Sequence, residues 1–234
     1  MNGWYSWHRS FNSLPFTVLK YGEKTIPEIR RHLAGGHPVV LPNPSPLPYM
    51  VVGTSQAAIN LAKRRPLQQS VASFVSGIEP FESYLDLNAD GLKRARYCLM
   101  TMRLTVLCPI RPDHELPAHL SPSLRDGYLL LFAAHLPELR ELCDDFSELY
   151  VSSGNLTEMR PEQRCSEVRE QFEREGGSGL ELLFLDGDHL RNDKILHGST
   201  TMVRISRSGQ CTVVREGIQE VTDDFSVYIE SGRT

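Results

Sequence analysis

Cysteine is scarce and follows no pairing pattern. The five residues Cys98, Cys108, Cys143, Cys165 and Cys211 are scattered, with no CxxC among them. That excludes a cysteine-built zinc site and a thioredoxin-like motif, and it fits free thiols in a reducing cytoplasm. No apolar run approaches the roughly 20 residues a membrane helix needs, and Met1 to Phe11 lacks an apolar signal core. A cytoplasmic protein without a membrane partner is expected. There is no GxxxxGK[ST], no strand-linked GxGxxG, no GxSxG and no HExxH, and the eight histidines lack ligand spacing. A P-loop, a Rossmann cofactor site, a nucleophile elbow and a zincin centre are therefore not signalled. An excess of positive charge is missing too. Lys and Arg total 25 against 29 Asp and Glu, a net charge of −4, which predicts no bulk attraction to nucleic acid.

What is present is an ordinary globular composition, 40% hydrophobic and 23% charged over 234 residues, enough for one large domain with a buried core. Residues 1–22 read as an irregular or extended lead-in. Ile26, Ile29 and Leu33 share a helical face that ends at Gly35-Gly36. Val39-Val40-Leu41 reads as a short buried strand. Four prolines between Pro42 and Pro48 make the next segment a stiff exposed loop. Further helices are expected over Ser55–Lys63, Pro137–Cys143 and Glu162–Arg174. Strands are expected over Val71–Val75, Leu104–Cys108, Gly127–Ala133, Leu149–Val151, Glu181–Leu185, Thr200–Ile205 and Gln210–Arg215. Leu116–Arg125 reads as a surface loop, and Asp186–Gly198 as a polar one. Interleaved helices and short strands, several apolar on both faces, predict an α/β domain with a mixed twisted sheet.

Four segments can carry chemistry. Lys63-Arg64-Arg65-Pro66, at a helix end, supplies a point charge and bidentate forks for a polyanion. Its plainer reading is a solvated helix terminus that complements the macrodipole. Ser152-Ser153-Gly154-Asn155-Leu156-Thr157 follows an apolar strand and offers hydroxyls and backbone N–H groups for phosphate or carboxylate, or simply a turn. Gly198-Ser199-Thr200-Thr201 opens a strand, and Arg215-Glu216-Gly217 closes the next.

In this order and spacing the segments resemble the YrdC-like family, the threonylcarbamoyl-AMP synthases. Gly35-Gly36 and Val39 to Pro42 resemble the family's lead-in to its first loop. Lys63-Arg64-Arg65-Pro66 resembles its Lys-x-Arg-Pro, and Arg103-Leu104-Thr105 its Pro-Leu-Thr. Ser152 to Thr157 looks like its Thr-Ser-Ala-Asn-x-Ser/Thr, and Asp186-Gly187-Asp188 like its Asp-Gly-Gly. Ser199 to Val203 looks like its Ser-Thr-Val-Val, and Arg215 to Ile218 like its Arg-Pro-Gly-Ala. The likeness runs from about Ile26 to Ile218.

The resemblance implies a single YrdC-like domain over 23–220, with a largely antiparallel mixed sheet flanked by helices, an N-terminal extension 1–22 and a tail 221–234. It implies ATP with Mg2+, bicarbonate and an amino acid or other amine as ligands. The amine is carboxylated, and the carbamate is then adenylated with release of pyrophosphate. Carried over, Lys63 and Arg65 are catalytic, holding phosphate oxygens and the leaving pyrophosphate. Ser152, Ser153, Asn155, Arg215 and Thr105 bind the nucleotide, and Ser45, Phe132, Ser199 and Thr200 line the substrate end. The departures lie mostly at that end. Pro44 stands where the family has an acid, Leu47 where it has a tyrosine, and Phe132-Ala133-Ala134 where it has Arg-Val-Pro. A phenylalanine cannot pair a carboxylate, so the expected acceptor is threonine or, in preference to it, another amine, with Phe132 packing an apolar portion. The alternative is a degenerate module that binds nucleotide or double-stranded RNA through Lys63, Arg64, Arg65, Lys93, Arg94 and Arg96. The plainer reading of the last three is a solvated helix face. Trp4, Tyr5 and Trp7 in the lead-in can cover an apolar patch.

Overall fold

The computed structural model describes residues 16–174 and 180–220. Trp4, Tyr5, Trp7 and the tail 221–234 lie outside the described residues. Helices α1 (Ile26–Ala34), α2 (Gln56–Ala62), α3 (Ala89–Arg96), α4 (Pro137–Asp145) and α5 (Cys165–Arg174) flank one sheet. Its strands are β1 (Thr17–Lys20), β2 (Val39–Leu41), β3 (Met50–Gly53), β4 (Ala72–Val75), β5 (Thr105–Pro109), β6 (Leu124–Arg125), β7 (Tyr128–Ala133), β8 (Tyr150–Ser153), β9 (Leu183–Asp186), β10 (Met202–Ile205) and β11 (Cys211–Arg215). They lie in the order β1-β9-β2-β3-β8-β4-β7-β5-β10-β11, with β6 beside β7. The pairs β1·β9, β2·β9, β4·β7 and β5·β10 are parallel, and the remaining six are antiparallel.

The strands are apolar on both faces because both faces are covered. Alternate residues divide cleanly, as a period of two requires. Val39, Leu41, Met50, Val52, Phe74, Leu130 and Phe132 join one core with Ile29 and Leu33 of α1 and Leu139 and Leu142 of α4. Their neighbours Val40, Val51, Tyr150 and Phe184 face the other way onto α2 and α5. Val106, Leu129, Leu131 and Val203 face α3, through Ala95.

The differences from expectation are local. The lead-in contributes β1, a largely exposed edge strand of four residues with no apolar run to mark it, and the buried Tyr21 beyond it. β3 follows the proline-rich loop, where no strand was read. That loop is not exposed as expected: Pro42, Asn43, Leu47 and Pro48 are buried and Pro44, Ser45 and Pro46 half-buried, because it packs against the core and the loop before β10. Leu116–Arg125 is not simply a surface loop: it holds a 3₁₀ turn over Ala118–Ser123, with Leu120 and Ser123 buried, and then β6. Asp126 and Gly127, both at positive φ (53° and 80°), form the tight turn between β6 and β7. Asp-Gly in that conformation matches the right-handed twist of a two-residue hairpin.

Candidate functional site

A cavity of about 430 Å³ opens on the sheet face that α1 and α4 cover elsewhere. Met50, Leu130, Phe132 and Met202 form its apolar floor, and Phe132 is stacked on Phe74 with ring centroids 6.5 Å apart. The rim carries three arginines from three turns or strand ends: Arg65 after α2, Arg125 at the β6–β7 hairpin and Arg215 at the end of β11. Asp126 is the one carboxylate on the lining, 3.7 Å from Arg125. Hydroxyls of Thr105, Thr200, Ser152 and Ser153 complete the wall.

Arg65 is positioned by Asn60, a fully buried amide on α2. Asn60 Oδ1 accepts from Arg65 Nε, while its Nδ2 donates to the carbonyls of Leu67 (2.7 Å) and Gln69 (2.8 Å). One side chain thus shapes the whole turn after the helix. Arg65 Nη2 is buried without a hydrogen-bond partner. Desolvation lowers the guanidinium to about 10, still charged at neutral pH. Arg215 is also lowered, first by desolvation and then by the like charge of Arg125. Its Nη2 donates to Thr200 O at 2.9 Å. Thr105 and Thr200 share a hydroxyl hydrogen bond of 2.5 Å. Gly217 is required beside them, since a Cβ there would lie 2.3 Å from backbone atoms of Thr200 and Thr201. Asn43 is a second buried amide on the lining. Its Nδ2 donates to Pro48 O at 3.0 Å, and its Oδ1 has no partner.

Seven of the residues expected at the site line this cavity: Arg65, Thr105, Phe132, Ser152, Ser153, Thr200 and Arg215. The other four lie elsewhere. Lys63 is buried and donates its ammonium to the backbone carbonyls of Ser153 and Asn155. Burial, and next the charge of Arg65, pushes Lys63 well below the usual lysine range. It ties the end of α2 to the loop after β8, and so acts on the cavity wall from behind. Asn155 folds its own loop, donating to Leu156 O (2.9 Å) and Met159 O (2.7 Å). Ser199 accepts at its carbonyl from Ile218 N (2.8 Å). Ser45 Oγ hydrogen-bonds His197 Nε2 at 2.9 Å and accepts from Asn192 N at 2.8 Å, joining the proline-rich loop to the loop before β10. Gly154, within the serine loop, approaches Tyr49 so closely that its N–H donates to Tyr49 O at 2.6 Å.

Sequence reasoning missed Asn43, Asn60 and Arg125. A readable signal for Arg125 was the Arg-Asp-Gly turn before an apolar strand. Asn60, an amide among the apolar residues of α2, carried a weaker one. The basic residues of α3 do not join this rim. α3 packs on the opposite sheet face, and Arg96 pairs with Glu79 (2.9 Å) and Glu82 (2.8 Å). Among the described residues no group of three or more His, Cys, Asp or Glu side chains is placed to hold a metal ion, and no helix is long and apolar enough to cross a membrane.

No family model and no curated protein matches the sequence. Solved structures do match in shape. The E. coli protein YciO superposes with a TM-score of 0.62 at 14% identity, over 88% of this chain and 96% of YciO. Sua5 from P. abyssi, solved in complex with L-threonine, gives 0.59 at 14% identity, over 86% of this chain and 56% of Sua5. Full-length HypF in a phosphate- and nucleotide-bound form gives 0.59 at 13% identity, over 85% of this chain and 25% of HypF. The chain thus spans just over half of Sua5 and a quarter of HypF. At these identities the likeness is one of fold, and the chain is a single α/β domain with the YrdC/Sua5-like fold.

Proposed function

We propose that the cavity binds ATP and that the protein forms a carbamoyl-adenylate from an amine other than threonine. One observation carries the reading: three arginines ring a single cavity, and one of them, Arg65, holds a buried N–H donor without a partner. An unpartnered buried donor is costly unless a ligand completes it, and phosphate oxygens suit planar guanidinium forks. The hydroxyls of Ser152, Ser153, Thr105 and Thr200 are acceptable partners for phosphate or ribose.

The chemistry is a displacement at phosphorus. The amine nitrogen attacks bicarbonate carbon, water leaves, and a carbamate forms. A carbamate oxygen then attacks the α-phosphorus of ATP, and the bond to the bridging oxygen of pyrophosphate breaks. Arg65, Arg125 and Arg215 stabilise the charge that builds on the departing pyrophosphate. Lys63 acts as a positioning residue, since it holds the loop that presents Ser153. Asn43 Oδ1 is an acceptor for the amine N–H. The apolar floor, with Phe132 at its centre, favours an amine bearing an apolar body. Magnesium, when bound with ATP, would neutralise phosphate charge. Asp126 is the lining residue suited to it, and a site that relies on substrate phosphates needs no more than one or two carboxylates.

Pyrophosphate release from ATP and bicarbonate, measured across a panel of amino acids and simple amines, tests this. Release with an apolar amine that is lost in Arg65→Ala is the expected result. No release with any amine, together with no ATP binding, overturns it. ATP binding without release would leave a nucleotide-binding module.

A further inference from the structure

A second cavity, also of about 430 Å³, lies where β4 and β8 part. These strands pair at Ala72↔Val151 and Ser73↔Tyr150, and Phe74 N–H still donates to Leu149 O at 2.8 Å; the cavity lies past that bond, between Val75-Ser76 and Phe146 to Glu148. The last turn of α4 and the 3₁₀ turn Glu79–Phe81 border the gap. Five aromatic residues line it from both sides of the sheet: Phe74 and Phe146 from the face that α4 covers, and Phe81, Tyr84 and Tyr150 from the opposite face. Two carboxylates, Asp144 and Glu148, lie on the same lining with one histidine, His119, whose carbonyl accepts from Tyr150 Oη at 2.6 Å, and no lysine or arginine does.

The rings, the carboxylates and the helix end act in the same direction. Aromatic faces carry negative quadrupole density, the carboxylates are formally negative, and α4 ends here with its carbonyl pole. An anion is repelled. A strongly hydrated metal ion gains little from aromatic walls, and two carboxylates are a sparse set of oxygen ligands. A neutral apolar molecule would fill the space without using the charge. The occupant that matches both wall and charge is a weakly hydrated cation with an apolar surface. We propose that this cavity binds a small amphiphilic cation, a quaternary or tertiary ammonium. The proposal is independent of the nucleotide reading.

The test is an NMR titration of the full chain with tetramethylammonium, choline and phenyltrimethylammonium, beside 3,3-dimethyl-1-butanol, the uncharged carbon isostere of choline. The expected result is saturable shifts confined to this cavity, with choline bound at least about tenfold more tightly than the isostere. The exposed-carboxylate double variant Asp144→Asn/Glu148→Gln is expected to weaken choline about fivefold or more while its Tm stays near that of the parent. Tyr84→Ala, at a partly exposed ring, is expected to weaken it about threefold or more. No saturable binding of any cation below about 50 mM, equal binding of the isostere, or shifts insensitive to both variants would overturn the proposal.

Discussion

Two cavities of equal volume lie on either side of one aromatic pair. Phe132 is on the floor of the first, Phe74 in the wall of the second, and their rings stack at 18°. Each has apolar surface, and each borders the same core. They differ in what the rims carry: Arg65, Arg125 and Arg215 around one, Asp144 and Glu148 around the other. The sheet supplies the same kind of floor to both, and the turns, strand ends and helix ends set the sign of the charge on each rim. The difference rests on a few residues in turns and at the ends of strands and helices.

The largest way to break this contrast is to reverse the first rim. Arg65→Glu/Arg215→Glu is expected to weaken ATP by about a thousandfold, since each charge-assisted hydrogen bond contributes roughly 1.5–3 kcal/mol and is replaced by repulsion. Choline binding at the second cavity should change by less than about twofold, as the sites share no charged partner. Isothermal calorimetry with both ligands reads the two effects side by side.

A second variant separates rim from support. Lys63→Met leaves the carbonyls of Ser153 and Asn155 without their buried donor. It is expected to cost about 2–4 kcal/mol of stability. Arg65→Ala is expected to cost under about 1.5 kcal/mol and to act mainly on ATP. Urea unfolding of the two variants tells the support from the contact. Equal stability losses would mean that Lys63 is not a structural tie.

A smaller change addresses the shared wall. Phe74→Leu removes one ring of the stack, at a cost of about 1 kcal/mol beyond area burial. Both ligands should weaken together, each by about two- to threefold. Weakening of only one would show that the wall is not shared.

The last effect is in pH, and it acts on stability rather than on either ligand. His135 packs edge-on against Phe132, with centroids 5.2 Å apart. Burial, then Arg103 and Arg140, holds it at about 3 against an ordinary 6.5. Its folded pKa lies below the unfolded one, so the unfolded chain takes up the proton first. The associated stability is complete above pH 6.5 and is lost as pH falls from 6.5 toward 3. His135→Gln should flatten that part of the Tm–pH curve, measured between pH 7 and 4.

Much of the sheet was legible in the sequence because apolar runs such as Val39–Leu41 and Leu129–Ala133 have few other fates. β1 and β6 were not, because their residues are largely exposed and form no apolar run, and β3 was hidden by the prolines just before it. At the site, the arginines in Lys63-Arg64-Arg65 and Arg215-Glu216-Gly217 were visible as short motifs. Lys63 was not separable from Arg65 by type alone. One turns inward to carbonyls and the other lines the cavity, a distinction set by α2 ending at Ala62 and by Arg64 at positive φ (53°). Asn60 and Asn43 were hidden because a buried amide reads as an ordinary loop or helix residue until its partners are seen. The second cavity was hidden for a related reason. Its aromatic residues come from β4, the segment after it, the end of α4 and β8, and meet only in the fold.

The central claim is that the arginine-rimmed cavity is a nucleotide site. Calorimetric titration of magnesium ATP into the wild-type chain and into Arg65→Ala tests it most directly. The account predicts saturable one-to-one binding by the wild type and a loss of at least about tenfold in the variant. No binding by the wild type, or equal binding by both proteins, would contradict it.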